Sequence, residues 1–191
     1  MVISIQKHFM FMLSGVLLLW VAGCSSSAGN SADDWPKGVS IGSSTIGGTF
    51  HVLMTGWGDI LNEELGVQAN VEVTGGPVNN VQLVQNKETD FGPVTMGIAV
   101  EGYTGTGWAD EAYEDVRMVW PMYQSYLHWW VMPEHGIESI YDFEGEIIAH
   151  GPAGSSPTLY GERIMELLGI EPARTVTGQN SDLANQMREG Q

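Results

Sequence analysis

Apolar residues change their period from segment to segment along this chain. Residues 39–42 form a short apolar run bounded by glycine, which reads as a strand. From 49 to 65, Val52, Leu53, Trp57, Ile60 and Leu61 recur at helical spacing and predict an amphipathic helix. Residues 67–74 alternate as a strand does, 78–86 carry a helical face of Val78, Val81, Leu83 and Val84, and 90–94 read as a third short strand. A helix is expected over 96–103, then a loop rich in glycine, tryptophan and acid up to 115. Two further strands are expected at 118–123 and 126–132, the second carrying Trp129 and Trp130.

Pro133-Glu134-His135-Gly136 is turn chemistry, and 137–145 is a brief connection. A second strand–loop–helix unit follows, with a strand at 146–149, a loop at 150–157 and a helix from 158 to 168. Residues 175–177 read as one more strand and 182–188 as a helix. Strands alternating with helices predict an α/β fold with a largely parallel sheet. The expected organisation is a first α/β lobe over 39–140 and the beginning of a second over 141–191. No partner strand follows that last helix, so the chain reads as lacking the C-terminal part of its second lobe.

The first residues carry a different signal. Lys7 precedes an apolar stretch over 9–20 that is too short for a settled membrane span, and small residues follow it. Val21-Ala22-Gly23-Cys24 resembles the lipobox of bacterial lipoproteins, in which an acylated cysteine becomes the first residue after cleavage. Cys24 is the chain's single cysteine and has no internal disulfide partner, which fits lipid attachment. Residues 25–38 have the Ser, Gly, Asn and Asp content of a flexible tether. Residues 1–24 thus read as a lipoprotein signal peptide. The body is expected on the periplasmic or extracellular face of a membrane.

Charge narrows the partners. The chain has 23 acidic and 7 basic residues, a formal net charge of −16, and the basic residues are scattered. Nucleic acid needs clustered Lys and Arg for phosphate contacts and is excluded as a partner, as is a polybasic lipid-binding patch. The acid excess fits a surface kept soluble in high salt. Apolar residues make up 43% of the chain, enough to build a core.

Candidate chemistry lies in the strand-to-helix turns. Residues 42–49 (GSSTIGGT) and 151–158 (GPAGSSPT) are rich in glycine and hydroxyl residues and open predicted helices. Such starts offer free backbone N–H groups and the positive end of a helix dipole to a carboxylate or phosphate. Thr74-Gly75-Gly76-Pro77 leads into a helix bearing Asn79 and Asn80, and Gly92-Pro93-Val94-Thr95 offers Thr95 at another helix start.

Taken in order, these turns resemble the TAXI family, the soluble receptors of tripartite ATP-independent periplasmic (TRAP) transporters. The similarity rests on Ile41-Gly42 through Gly47-Gly48-Thr49-Phe50, on Val73-Thr74-Gly75-Gly76 with Asn80, and on Thr89-Asp90-Phe91-Gly92. It continues in the run from Ile137 to Gly145 and in Gly151-Pro152-Ala153-Gly154-Ser155-Ser156. The resemblance implies a two-lobed periplasmic-binding-protein type II fold that closes on a small carboxylate-bearing solute, glutamate- or glutamine-like, and a TRAP-type membrane permease as partner. It also implies that Thr45, Gly47, Gly48, Thr49, Phe50, Thr74, Asn80, Thr95, Ser155, Ser156 and Thr158 face the cleft. Tyr123, near the lobe junction, is a further ligand-binding candidate, and His128 stands beside it in the chain as another. An anionic group would be met by amides and hydroxyls, or by Arg117 or Arg174.

Competing functions are weaker. Ser155 and Ser156 lack a Gly-x-Ser-x-Gly elbow and an adjacent base, so no enzyme is expected. His51, His128, His135 and His150 show no metal-ligand spacing, and neither metal nor cofactor is expected. A receptor for an ABC importer, or a sensor, is the alternative within the binding class.

Overall fold

The computed structural model describes residues 35–190. Cys24, the export segment and most of the tether lie outside the described residues. The body begins with strand β1 (Gly38–Gly42), helix α1 (Thr49–Leu65) and strand β2 (Gln68–Glu72). β1 and β2 pair in parallel, Gly38 opposite Gln68 and Gly42 opposite Glu72. A parallel pair needs a crossover, and α1 supplies it. Its buried Gly58 lets it lie close on β2: a Cβ there would stand 3.0 Å from Val71. Helices α2 (Pro77–Gln85) and α3 (Met96–Thr104) follow. Pro77 opens α2 where its missing N–H costs nothing.

A second unit repeats the plan: β3 (Ile147–Gly151), α4 (Ser156–Leu168), β4 (Arg174–Thr177) and α5 (Asn180–Arg188). β3 and β4 are again parallel, with an irregularity between Ala149 and Gly151. The fold is therefore mixed α/β with small parallel sheets, as the alternation predicts. Among the described residues no helix is long and apolar enough to cross a membrane.

Ile41, Met54, Val67, Val81 and Ile98 are buried in the first unit. In the second, Phe143, Ile148, Met165 and Ile170 form one cluster, and Trp129, Ile137 and Ile140 pack against it. Those three residues precede position 141, so the second core recruits chain from before the expected lobe boundary. Just before β3, a 3-10 turn (Ile140–Phe143) is held by a reciprocal cap between Ser139 and Asp142. The backbone N–H groups of Glu138 and Ser139, with the Ser139 hydroxyl, hold the Asp142 carboxyl below its usual range.

Three expected strands do not form. Residues 90–94 reduce to a single parallel bridge between Ile41 and Phe91. Pro93 has no N–H to extend a ladder, and the Asp90 carboxylate instead accepts from the Ser40 backbone N–H at 2.7 Å. Residues 118–123 and 126–132 form no strand at all. β1 has β2 on one side and the Phe91 bridge on the other, so it offers no free edge, and Pro121 interrupts the first of the two segments. The stretch packs by its rings instead. Trp120 meets Trp57 of α1 edge-on at 4.8 Å, Tyr123 meets Phe50 at 6.1 Å, and Trp129 meets Phe143 at 5.9 Å.

Candidate functional site

The turns that follow β1, β2 and the Phe91 bridge converge on one side chain. Asn80, 1% exposed on α2, donates from its amide nitrogen to the carbonyl oxygens of Ser43 at 2.8 Å and Pro93 at 2.9 Å. Its amide oxygen lies 2.7 Å from the Thr74 hydroxyl, which accepts from the Gly76 N–H at 3.2 Å. Space for this group is made by glycine: a Cβ on Gly42 would stand 2.7 Å from the Asn80 amide oxygen. Both amide protons of Asn80 and its oxygen are engaged inside the protein, so it locks three turns together.

A second polar cluster joins the two units. The Thr95 hydroxyl, at the start of α3, lies 3.1 Å from the hydroxyls of both Ser156 and Tyr160 on α4. The Tyr160 oxygen also accepts from the backbone N–H of Ile98 at 3.2 Å. One turn further along, Arg163 pairs with Glu101 at 2.6 Å. Val78 N–H reaches the Gly154 carbonyl at 3.5 Å.

Beside this cluster lies a cavity of about 1140 Å³. Thr95, Ser156 and Tyr160 form its polar wall. Phe50, Met54, Trp57, Val84, Phe91, Val100 and Trp120 supply apolar wall, and residues 116–127 run along it. Tyr123 and Arg117 also reach it. Burial pushes the Tyr123 hydroxyl above its usual range, against the opposing effect of a hydrogen bond with Thr49. Such a space, apolar with a few convergent hydroxyls, has the character of a small-molecule site.

The sequence profile of the NMT1-like family matches residues 41–191, a span that contains both clusters and the cavity. The chain belongs to the NMT1-like family. This is a periplasmic-binding-protein-like family that includes TAXI-type proteins, and its members have a general solute-binding role with a transporter partner. No curated protein matches the chain.

In this NMT1-like chain the candidate residues divide into two groups. Phe50, Asn80, Thr95, Tyr123 and Ser156 line the cavity, and Thr49 touches it through Tyr123. Thr45, Thr74, Ser155 and Thr158 are buried and do not line it. Ser155 and Thr158 satisfy each other at 3.1 Å, and the Thr158 hydroxyl donates to the Pro152 carbonyl at 2.8 Å. Gly47 and Gly48 shape the turn before α1; Gly47 has φ +82°, which favours glycine, and neither lines the cavity. His128 is exposed and away from the lining. Of the two arginines, Arg117 is on the wall while Arg174 stands at the start of β4.

Tyr160 was not among the candidates, although its spacing of four from Ser156 puts both on one face of α4. Two histidines have structural places. His51 Nδ1 lies 3.0 Å from the Ser43 hydroxyl, whose proton goes to the Glu72 carbonyl at 2.6 Å. The imidazole is therefore the donor, and it holds the start of α1 to the ends of β1 and β2. His150, 6% exposed on β3, leaves Nε2 without a partner, and burial pushes its pKa down against the opposing charge of Glu162. Among the described residues no group of three or more His, Cys, Asp or Glu could hold a metal ion.

Proposed function

We propose that this NMT1-like chain is an extracytoplasmic receptor, lipid-anchored at Cys24, that captures a small carboxylate-bearing solute and hands it to a TRAP-type permease. One observation carries the reading: hydroxyl-bearing starts of two helices, 61 residues apart in the chain, meet 3.1 Å apart at the wall of a large cavity. Thr95 and Ser156 are then the donors to the carboxylate, helped by the positive N-terminal ends of α3 and α4. Arg117 adds charge at the wall. Glutamate and glutamine are the first candidates by resemblance to TAXI receptors. The rings and methionines of the cavity also favour carboxylates with an apolar body, such as phenylalanine.

Capture without turnover is the expected chemistry. The buried Ser43–His51 pair offers no nucleophile, since Ser43 is 0% exposed and its proton is committed to a carbonyl. A thermal-shift panel of glutamate, glutamine, phenylalanine and dicarboxylates tests the reading. At least one should raise the melting temperature in proportion to the logarithm of its concentration. A flat response to the whole panel at millimolar concentrations overturns it. Cys24→Ser should separately move the protein from the membrane to the soluble fraction.

A further inference from the structure

One side of α3 lines the cavity along the whole length of the helix. Met96, Val100 and Tyr103, four and three residues apart, share one face and are exposed, while Ile98 on the other side is fully buried. Thr95 at the cap and Thr104 at the end also reach the cavity, so at about 1.5 Å per residue this wall runs about 13 Å. On α1 the lining residues Phe50, Met54 and Trp57 run about 10 Å. The space is a trough rather than a round pocket.

Its chemistry changes along that length. At the start of α3 the Ser156 and Tyr160 hydroxyls each lie 3.1 Å from that of Thr95. Beyond them the walls are largely apolar, and Met54, Met96, Met118 and Met122 supply unbranched side chains that bend to fit. Among the lining residues Asp90 is the only carboxylate and Arg117 the only permanent cation. Asp90 is taken up by Ser40, whose N–H and hydroxyl donate to one of its oxygens at 2.7 and 3.0 Å. The Arg117 guanidinium folds back on the carbonyls of Glu114 and Val116. An α-ammonium group would therefore lose water with no uncommitted acid to receive it, and a second carboxylate would lie among methionine and valine.

We propose that the trough takes an unbranched monocarboxylate that has a long apolar chain and no ammonium group. Bonds of about 1.5 Å advance an extended alkyl chain by about 1.3 Å each, so about ten carbons match the α3 wall and decanoate is the type compound. Thr95 and Ser156 hold the carboxylate, which rests on the receptor reading, and the chain runs toward Thr104. Methionine walls close around a flexible chain as well as around a ring, and the length of the trough favours the chain. Glutamate would leave most of a cavity of about 1140 Å³ to water.

Calorimetry on the whole chain with butyrate, hexanoate, octanoate and decanoate tests the fit. Affinity should rise about two- to fourfold with each added methylene and level off for dodecanoate and tetradecanoate. Affinity independent of chain length, or still climbing at tetradecanoate as simple adsorption would, overturns the proposal. Decanol, with the same body and no carboxylate, should bind at least tenfold more weakly than decanoate, and phenylalanine at least tenfold more weakly than 3-phenylpropionate, which lacks only the ammonium. Equality in either pair overturns the stated head group. Val100→Trp puts a ring in mid-trough, and because Val100 is half exposed the melting temperature should hold while decanoate affinity falls at least tenfold. Undiminished binding would place the chain elsewhere and overturn the site. Glutamate or phenylalanine binding more tightly than decanoate overturns the chain-acid class and keeps the receptor reading; no binding by any of these acids overturns both.

Discussion

The amide nitrogen of Asn80 lies 2.8 Å from the carbonyl oxygen of Ser43, and this contact ties α2 to the turn that leaves β1. The same nitrogen reaches Pro93, so one side chain fixes the geometry from which α1 and α3 both start. Asn80→Ala strands the Pro93 carbonyl, while the Thr74 hydroxyl and the Ser43 carbonyl keep each other as partners at 2.9 Å. It should cost about 1–3 kcal/mol of unfolding free energy, read as a lower urea midpoint at unchanged slope. A loss below about 1 kcal/mol would mean that water replaces the amide.

Gly42 and Asn80 should be energetically coupled. Gly42→Ala alone drives a methyl against the Asn80 amide and should cost about 1–3 kcal/mol. Added to Asn80→Ala, the same methyl has room, so the double variant should lose less than the sum of the two. Simple additivity would show that the glycine serves backbone conformation instead.

Ser155 and Ser156 are adjacent but face different ways. Ser155→Ala should lower stability by about 1 kcal/mol and leave solute binding unchanged, because Thr158 keeps its bond to Pro152. Ser156→Ala should instead weaken carboxylate binding by about 1–2 kcal/mol with little change in melting temperature. Calorimetry and thermal melts on the pair distinguish them, and the reversed pattern would move the site to Ser155.

His150 sets an acid limit. Its folded-state pKa lies below the usual value of 6.5, so between the two values the unfolded chain binds more protons. Stability should therefore be complete above about pH 6.5 and fall as pH drops through the folded-state value. His150→Leu should flatten that part of the curve. The Asp142 carboxyl, lowered from 3.8, acts in the same direction but only in more acid solution, so its effect survives the substitution. An unaltered profile in His150→Leu would assign the slope to another group.

The ring contact between Trp57 and Trp120 fastens residues 116–127 to α1 together with that between Phe50 and Tyr123. Trp120→Ala should cost about 1 kcal/mol and let trypsin cut after Arg117 faster than in the parent. Equal cleavage rates would mean that Tyr123 and Phe50 suffice.

What the sequence made legible follows the range of the interactions involved. α1 spans residues 49–65 as its apolar spacing predicts, but Val52, Leu53 and Ile60 of that spacing are exposed and the residues it buries are Met54 and Gly58. β1, β2, β3 and β4 were readable because each has its partner one crossover helix away. Residues 118–132 have strand composition but no strand, since strand propensity expresses a fit to a neighbouring edge, the edge of β1 beyond β2 is taken by the Phe91 bridge, and Pro121 interrupts the segment. The family resemblance named Thr74 and Asn80 together as cleft residues; that they bond each other and point inward was not legible, because direction depends on Gly42 and Gly92 leaving a hole of the right size. Tyr160 went unread because a tyrosine in mid-helix looks like any other core ring until its oxygen finds the Ile98 amide.

The unladdered stretch also bears on colloidal behaviour. Tyr126 and Trp130 are 74% and 80% exposed, with backbone amides that no sheet occupies. Such a ribbon would stick to its like on collision, and what keeps molecules apart is the mutual repulsion of bodies carrying sixteen surplus negative charges. That repulsion reaches about 30 Å at 0.01 M salt and about 3 Å at 1 M. Dilute buffer should therefore hold the protein dispersed by long-range repulsion, and in molar salt its expected solubility must come from the short-range hydration of the acidic surface instead.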